Sequence, residues 1–462
     1  MKYARLINQK AIVTALLYLF SSVIFLYSFI YYPISQGHSG DFLNRLRGGM
    51  SFDNKWVYWD GRGMDIYGPL FTLLDYLIHH SQLERIVFLR ILFSFYLVLL
   101  FITSFLLLKI FQFWDACHVK KATGIFLIVN FFPLTQALKQ DVIENLQLFS
   151  LVLFMVFLTL YQRRRHLFAG ISLGLSICAK TIPAVLIPYL LARRYKKMVI
   201  IAMVFFLTMV GGVSYLKEIT IWEGLKNIFP FDSAFSFSPH HGLDFHENQS
   251  IHGFTYRLFA DIQYNNLSSV THPSMPEQYR LTFEITRYLF LSLIILLVAW
   301  QVVPFFFKMR RLELPKLIYL EISILFALVL LALPHTEIYY FILTLPAYLL
   351  LFEMFFWKSS GFAPRRVCHW IRRGLLIFSY LLLGFRLPLK VLDYILPSSF
   401  ACPYIQLTNL WNFPFYGLVI LLVLLVNSYR QVGYSKEGGD YGNIHHKNTE
   451  IHRDTDKVNA KT

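Results

Sequence analysis

The sequence predicts an all-α membrane protein that crosses the bilayer many times. Of its 462 residues, 56% are hydrophobic and 18% aromatic, and the mean hydropathy is +0.51, which is too apolar for a soluble chain of this length. Apolar segments recur at roughly 20 residues, the length that a helix needs to cross a hydrocarbon core of about 30 Å. The weak alternating pattern of a membrane β-barrel is missing. We therefore predict a polytopic helical protein with about 10–11 membrane segments.

The candidate spans are separated by loops that differ in charge. Short loops rich in Lys and Arg should lie in the cytoplasm, and the remaining loops should lie outside. The candidate spans are about 11–32, 86–108, 122–138, 145–161, 167–192, 198–216, 281–307, 316–334, 338–357, 371–396 and 411–428. The predicted extracytoplasmic loops are 33–85, 217–280, 335–337 and 397–410. We expect residues 1–430 to form one transmembrane domain and 431–462 to form a disordered cytoplasmic tail.

The excess positive charge of the chain is explained by this topology. Lys and Arg number 43 against 27 Asp and Glu, which gives a net charge of +16. On a soluble protein such a balance suggests nucleic acid, but here the basic residues form short clusters between apolar spans, where they orient helices. We therefore expect membrane lipids as partners and no nucleic acid. The four cysteines are scattered singly without metal spacing, so they indicate neither a metal nor a redox compartment.

The segment 167–192 breaks the simple alternation of spans. Arginine clusters stand at both of its ends, which places both ends on the cytoplasmic side. Lys180 and Pro183 lie in its middle. A proline removes a helical hydrogen bond, and an intramembrane lysine is costly unless it lines a cavity or pairs with an anion. We favour a re-entrant helical hairpin. The alternative is a straight, tilted span with Lys180 buried against a carboxylate.

The first extracytoplasmic loop carries the candidate catalytic residue. Asp41 lies in Gly37-His38-Ser39-Gly40-Asp41-Phe42, just outside the predicted membrane surface. A carboxylate there can take a proton from a hydroxyl of a substrate anchored in the bilayer. The alternative is an ordinary solvated side chain, like other acids of this loop such as Asp53. Aromatic residues nearby, including Tyr67, fit stacking on sugar rings or anchoring at the interface.

Four stretches of the chain, taken together and in this order, resemble the motifs of a known protein family. They are Gly40-Asp41-Phe42 with Asp65-Ile66-Tyr67-Gly68-Pro69-Leu70-Phe71, the segment from Arg163 to Lys180-Thr181-Ile182-Pro183, Asn248-Gln249-Ser250 with Arg257, and Pro334-His335 with Tyr340 and Pro346. The set, over about residues 37–350, resembles the polyprenol-phosphate-sugar-dependent glycosyltransferases of family 87, which have the GT-C fold. The chain departs from that pattern at Glu144-Asn145-Leu146-Gln147, where the family usually has Gly-Gln-x-Asn.

The resemblance implies a hexosyltransferase of the bacterial inner (plasma) membrane. It would move a hexose, typically mannose, from a polyprenyl-phosphate donor to a hydroxyl of a glycolipid or glycan on the periplasmic or exterior face. Asp41 would be the base, and no metal or cofactor is expected. Charge builds on the phosphate as its bond to the sugar breaks, so cationic groups should face it. Candidates for the donor phosphate are Lys180, Arg257 and His335, and those for substrate binding are Tyr67, Asn145, Gln147, Asn248 and Gln249.

Two other classes compete with this hypothesis. A transporter or flippase of a lipid-linked sugar would share the many spans and the intramembrane Lys180, but a carrier should place its key polar groups near the midplane. A polysaccharide polymerase or ligase should have paired arginines in a large outer loop. Loop 217–280 holds only Arg257 and Arg280, which makes this the weakest alternative.

Overall fold

A computed structural model describes the parts of the chain that form its helical body. The described residues are 2–26, 69–70, 73, 85–131, 133–134, 142–216, 218–228, 248–261, 274–309, 315–333, 336, 338–357, 366–384 and 412–432. Three of the predicted site residues lie outside them: Asp41, Tyr67 and His335. The predicted tail also lies outside, apart from the last two residues of a helix that ends at Val432.

Helices make up nearly all of the described structure. The α-helices are α1 (Lys2–Phe25), α2 (Arg85–Ile110), α3 (His118–Val129), α4 (Val142–Gln162), α5 (His166–Ala179), α6 (Leu186–Ala192), α7 (Lys196–Leu216), α8 (Ile221–Ile228), α9 (Ile251–Phe259), α10 (Arg280–Met309), α11 (Pro315–Ala332), α12 (Leu345–Phe352), α13 (Arg366–Gly384) and α14 (Phe413–Val432). The 3₁₀ segments are Ile182–Val185, Glu277–Tyr279 and Ile338–Thr344, and Glu353–Trp357 is a π-helix.

Many of these helices are long and apolar enough to cross a membrane. Within the described residues, five meet that criterion by length and composition: Lys196–Leu216, Glu277–Lys308, Pro315–Ala332, Tyr340–Trp357 and Phe413–Val432. The helices α1, α2 and α4 have 24, 26 and 21 residues, and a rise of 1.5 Å per residue makes them about 31–39 Å long. The prediction of an all-α polytopic membrane protein is confirmed.

The helices α5 and α7 pack side by side because glycines let their backbones approach. A Cβ atom on Gly170 would lie 2.9 Å from the carbonyl oxygen of Met198, and one on Gly174 would lie 2.9 Å from that of Ala202. Small residues at such contacts are typical of membrane helix pairs. The paired positions advance together along both helices, so α5 and α7 run in the same direction.

The chain between these parallel helices turns back, which makes 167–192 a hairpin. The helix α5 ends before Lys180, whose backbone is extended, and Pro183 lies in the 3₁₀ segment that leads into α6. The ring of Tyr195, directly after α6, lies 4.9 Å from the ring of Tyr161 and 6.2 Å from that of His166. Both ends of the segment therefore meet on one side. The predicted hairpin is confirmed and the straight helix is excluded, while its re-entrant position in the bilayer stays a prediction.

Other spans differ from their predicted form. The predicted span 338–357 is not uniformly α-helical but passes from the 3₁₀ segment through α12 to the π-helix. Pro346 lies in the first turn of α12, where its missing N–H and fixed φ favour a helix start rather than a helix interior. The helices α1 and α13 begin well before the apolar windows 11–32 and 371–396, because a helix continues through charged residues that hydropathy does not count.

The two ends of the bundle differ in character. The basic end holds Lys120 and Lys316, whose Nζ atoms lie 3.7 and 3.5 Å from the carboxylate of Glu353. The opposite end, which we call the far end, holds Asn248, whose Oδ1 accepts a hydrogen bond from the N–H of Thr336 at 3.1 Å. The 18 residues of α11 separate these ends by about 27 Å. Loops predicted for opposite sides of the membrane thus lie at opposite ends.

Candidate active site

The candidate site at the far end begins with a junction between two distant segments. The N–H groups of Ser250 and Thr336 both donate to Asn248 Oδ1 at 3.1 Å. The N–H of Gln249 donates to the carbonyl oxygen of Thr336 at 2.7 Å. All four residues are fully buried. The Asn-Gln-Ser stretch of the second loop and the segment after Pro334 are therefore one structural unit.

The same junction starts α9. Ser250 is the N-cap, and its hydroxyl accepts a hydrogen bond from the N–H of Gly253 at 3.2 Å, which satisfies one of the unpaired donors of the first turn. A Cβ atom at Gly253 would lie only 2.4 Å from the carbonyl oxygen of Asn248. Glycine is required here because the helix start lies directly against the backbone of the junction.

The last turn of α9 holds Arg257 against this junction. Its Nε donates to Asn412 Oδ1 at 2.8 Å, and its Nη2 donates to the carbonyl oxygen of Asn248 at 2.6 Å. Burial lowers the pKa of Arg257 to about 9, and the nearby Tyr416 opposes this shift. Arg257 thus remains protonated at neutral pH. Both of these acceptors are amide oxygens, and the two bonds hold the guanidinium against the junction.

Lys180 adds a second buried cation. Its Nζ lies 5.0 Å from the centre of the Tyr340 ring, and the residue is 5% exposed. A lysine over an aromatic face is stabilised by the ring's negative quadrupole. The 14 residues of α5 place Lys180 about 21 Å from the basic end. Tyr340 follows Thr336 along the chain, so Lys180 is connected through this segment to the junction.

The structure brings together most of the predicted site residues that it describes. Lys180, Asn248 and Gln249 contact the segment from Thr336 to Tyr340. Arg257 bonds to Asn248. The helix α4, which contains Asn145 and Gln147, packs against the 3₁₀ segment that begins at Ile338. His335 precedes Thr336 directly in the sequence. The stretch 240–247 holds three histidines with Asp244 and Glu247, but without the spacing of a zinc signature, and it lies outside the described residues. Among the described residues no metal-binding group of His, Cys, Asp or Glu is formed.

Sequence reasoning missed four residues of this region. Asn412 and Thr336 carry no chemical signal, since they act as hydrogen-bond partners set by the fold. Arg287 did carry one, because it lies inside the predicted span 281–307 and an arginine there is costly unless it has a role. Its side chain is 2% exposed, forms an ion pair with Glu284, and lies 5.0 Å from the ring of Phe283.

His252 is the fourth missed residue and lies near Arg287. Its Nε2 is 3.2 Å from the carbonyl oxygen of Ala332 at the end of α11. Burial and, to a lesser extent, the positive charge of Arg287 lower the pKa of His252 to about 4, and the hydrogen bond to Ala332 opposes this shift. His252 is therefore neutral at physiological pH, and among the described residues at this end the positive charge resides on lysine and arginine.

These features define a polytopic helical membrane protein that holds buried cationic side chains at its far end. The model of glycosyltransferase family 87 matches residues 66–334, more than half of the chain, and the chain belongs to this family. Comparison with curated proteins and with solved structures gives no significant match. The protein is thus a glycosyltransferase that takes a sugar donor and an acceptor. The matched region includes Lys180, Asn248 and Arg257, whereas Asp41 precedes it.

Proposed function

We propose that this glycosyltransferase moves a hexose, with mannose favoured, from a polyprenyl-phosphate donor to a hydroxyl of a glycolipid or glycan. The reaction takes place at the far end of the bundle, which faces the extracytoplasmic side. Asp41 is the general base. Lys180, Arg257 and His335 face the donor phosphate, and Tyr67, Asn145, Gln147, Asn248 and Gln249 serve the sugar and the acceptor.

The proposed reaction is a displacement at the anomeric carbon of the donor. The acceptor oxygen forms a bond to that carbon while the bond from the carbon to the phosphate oxygen breaks. The acceptor proton passes to the carboxylate of Asp41, and the electron pair of the broken bond stays on the lipid phosphate. Negative charge grows on this leaving group, so fixed cations stabilise the transition state more than the ground state.

The observation that carries the proposal is the joining of Lys180 and Arg257 to one buried framework. Lys180 contacts Tyr340, Arg257 bonds to Asn248, and Thr336 links the two parts through its bonds to Asn248 and Gln249. A lysine acts as a compact charge on a phosphate, and an arginine can bind its oxygens in pairs. Two buried cations on the end opposite the basic clusters are what a lipid-phosphate donor requires.

The proposal is tested by transfer assays in membranes that contain the full-length protein. Radiolabelled polyprenyl-phosphate mannose is compared with its glucose and arabinose counterparts, and label transferred to extractable glycolipid or glycan is counted. Asp41→Asn should lower transfer by about a hundred- to ten-thousandfold while expression is unchanged. Asp53→Asn, which changes another carboxylate of the same loop, is the matched control and should transfer normally.

The cationic residues are tested in the same assay. Lys180→Ala and Arg257→Ala should lower kcat more than they raise the donor KM, since the charge that they stabilise develops during bond breaking. Near-normal transfer in either variant would remove that residue from the site. Transfer that persists in Asp41→Asn would refute the mechanism. If no donor supports transfer but a labelled lipid-linked sugar crosses the bilayer, the protein is a carrier instead.

A further inference from the structure

A cavity at the basic end belongs to neither the junction nor the proposed donor site. It has a volume of about 50 Å³ and lies between the end of α4, the start of α5 and the start of α11. A single ordered water needs about 10–15 Å³, so the cavity has room for a phosphate group. Its polar lining includes Gln162, Arg164, His166 and Tyr195, all side chains that can donate hydrogen bonds.

The side chain of His166 is the strongest evidence that this cavity binds a ligand. Its Nδ1 is buried and has no hydrogen-bond partner among the described residues. His166 is also the first residue of α5, and the N-cap Arg165 makes no side-chain cap. The unpaired N–H groups and the positive end of the helix dipole therefore lie at the same edge of the cavity. The helix N-terminus favours an anion, and His166 donates to it in the tautomer or charge state that carries a proton on Nδ1.

Arg164 occupies a backbone conformation that normally belongs to glycine. Its φ is +56°, and the turn is closed by hydrogen bonds from Arg164 N to Tyr161 O at 3.0 Å and from Arg165 N to Leu160 O at 2.9 Å. Helices often end in this way with glycine, which adopts positive φ without strain. The guanidinium of Arg164 lines the cavity.

A second turn of the same design provides an internal comparison. Arg194 follows α6 with φ of +67°, and the bond from Tyr195 N to Leu190 O at 2.9 Å closes its turn in the same way. Both arginines are exposed, but only Arg164 lines the cavity. The two arginines therefore share backbone strain, charge and position at the basic end. They differ in whether the side chain reaches the cavity.

The geometry points to a phosphate-binding site here, filled by the headgroup of an anionic lipid or by free phosphate. Arg164 and His166 hold the phosphate oxygens, Gln162 and Tyr195 add neutral donors, and exposed basic residues flank the cavity: Arg163, Arg165, Lys196 and Lys197. Basic pockets between membrane helices are suited to phosphate headgroups. The site lies at the opposite end of the bundle from Asn248 and is independent of the proposed reaction.

The test uses the purified full chain in nanodiscs of phosphatidylcholine, with and without phosphatidylglycerol. Native mass spectrometry counts the lipids retained, and a thermal melt measures stability with and without inorganic phosphate. The wild type should retain phosphatidylglycerol over phosphatidylcholine, or be stabilised by inorganic phosphate. Arg164→Gly should lower that binding about tenfold or more, since a charge-assisted hydrogen bond is lost. Without any anion, its melting temperature should equal or exceed that of the wild type, because glycine suits φ of +56°.

Arg194→Gly is the control and should bind as the wild type does. Selective retention of phosphatidylglycerol without an effect of inorganic phosphate identifies a lipid headgroup as the ligand. Stabilisation by inorganic phosphate without selective retention of phosphatidylglycerol identifies free phosphate as the ligand. Equal binding by the wild type and Arg164→Gly overturns the site. Equal losses in Arg164→Gly and Arg194→Gly also overturn it, because they would reduce it to a general effect of surface charge.

Discussion

Replacing Gly253 by alanine tests the construction of the far end most directly. Alanine in a helix is normally favoured over glycine by about 1 kcal/mol, so propensity alone predicts a more stable protein. The structure predicts the opposite. The new Cβ would lie 2.4 Å from the carbonyl oxygen of Asn248 and 2.7 Å from its Cγ, so Asn248 or α9 has to move by about 1 Å to restore normal contact.

Such a movement affects several hydrogen bonds at once. The carbonyl oxygen of Asn248 accepts from Arg257 at 2.6 Å, and its side chain accepts from Ser250 and Thr336 at 3.1 Å. A shift of about 1 Å lengthens these bonds beyond the usual range. Leaving one or two buried donors unsatisfied costs about 1–3 kcal/mol each. We expect Gly253→Ala to destabilise the protein by about 2–4 kcal/mol and to lower transfer about a hundredfold.

The assay pairs thermal unfolding in detergent with sugar transfer. Gly374→Ala is the matched control, since a Cβ at Gly374 of α13 would meet nothing within 4 Å. That variant should be as stable as the wild type or slightly more stable, with unchanged transfer. If Gly253→Ala matches Gly374→Ala in both stability and transfer, the close contact with Asn248 does not exist as described.

Two further predictions concern buried ionisable groups. Because the pKa of His252 is about 4 in the folded protein and about 6.5 when unfolded, its contribution to stability is complete above pH 6.5 and falls by about 3 kcal/mol between pH 6.5 and 4. In His252→Gln the melting temperature should depend less on pH between pH 6.5 and 4. A pH dependence equal to that of the wild type would contradict the lowered pKa of His252. Glu321 accepts from Arg193 Nε at 2.8 Å, and the two side chains are 3% and 0% exposed. Glu321→Gln should therefore destabilise the protein by about 3–5 kcal/mol, because the buried charge of Arg193 loses its carboxylate partner. Glu277→Gln is the control, because it breaks an exposed ion pair with Arg280, and it should change stability by less than about 1 kcal/mol. Equal losses of stability in Glu277→Gln and Glu321→Gln would refute the role given to burial.

The sequence alone determined the class of protein. Hydropathy defines membrane helices because a lipid interior requires apolar side chains and internally bonded backbones. It also identified the hairpin, since Pro183, Lys180 and arginines at both ends are signals carried by residue type. The family resemblance rested on an ordered set of short motifs, and the match of residues 66–334 confirms it. The role of Asp41 stays a prediction.

Only the tertiary structure decided how these motifs are connected. Nothing in the sequence indicates that Asn248 and Gln249 bond to the backbone of Thr336, or that Asn412 holds Arg257, because such contacts join segments that are far apart in the chain. The requirement for glycine at Gly253 likewise depends on how closely α9 approaches Asn248. The cavity beside Arg164 exists because three helix ends meet at the basic end. Residue type fixes where a chain is apolar or charged, whereas packing fixes which of those charges become neighbours.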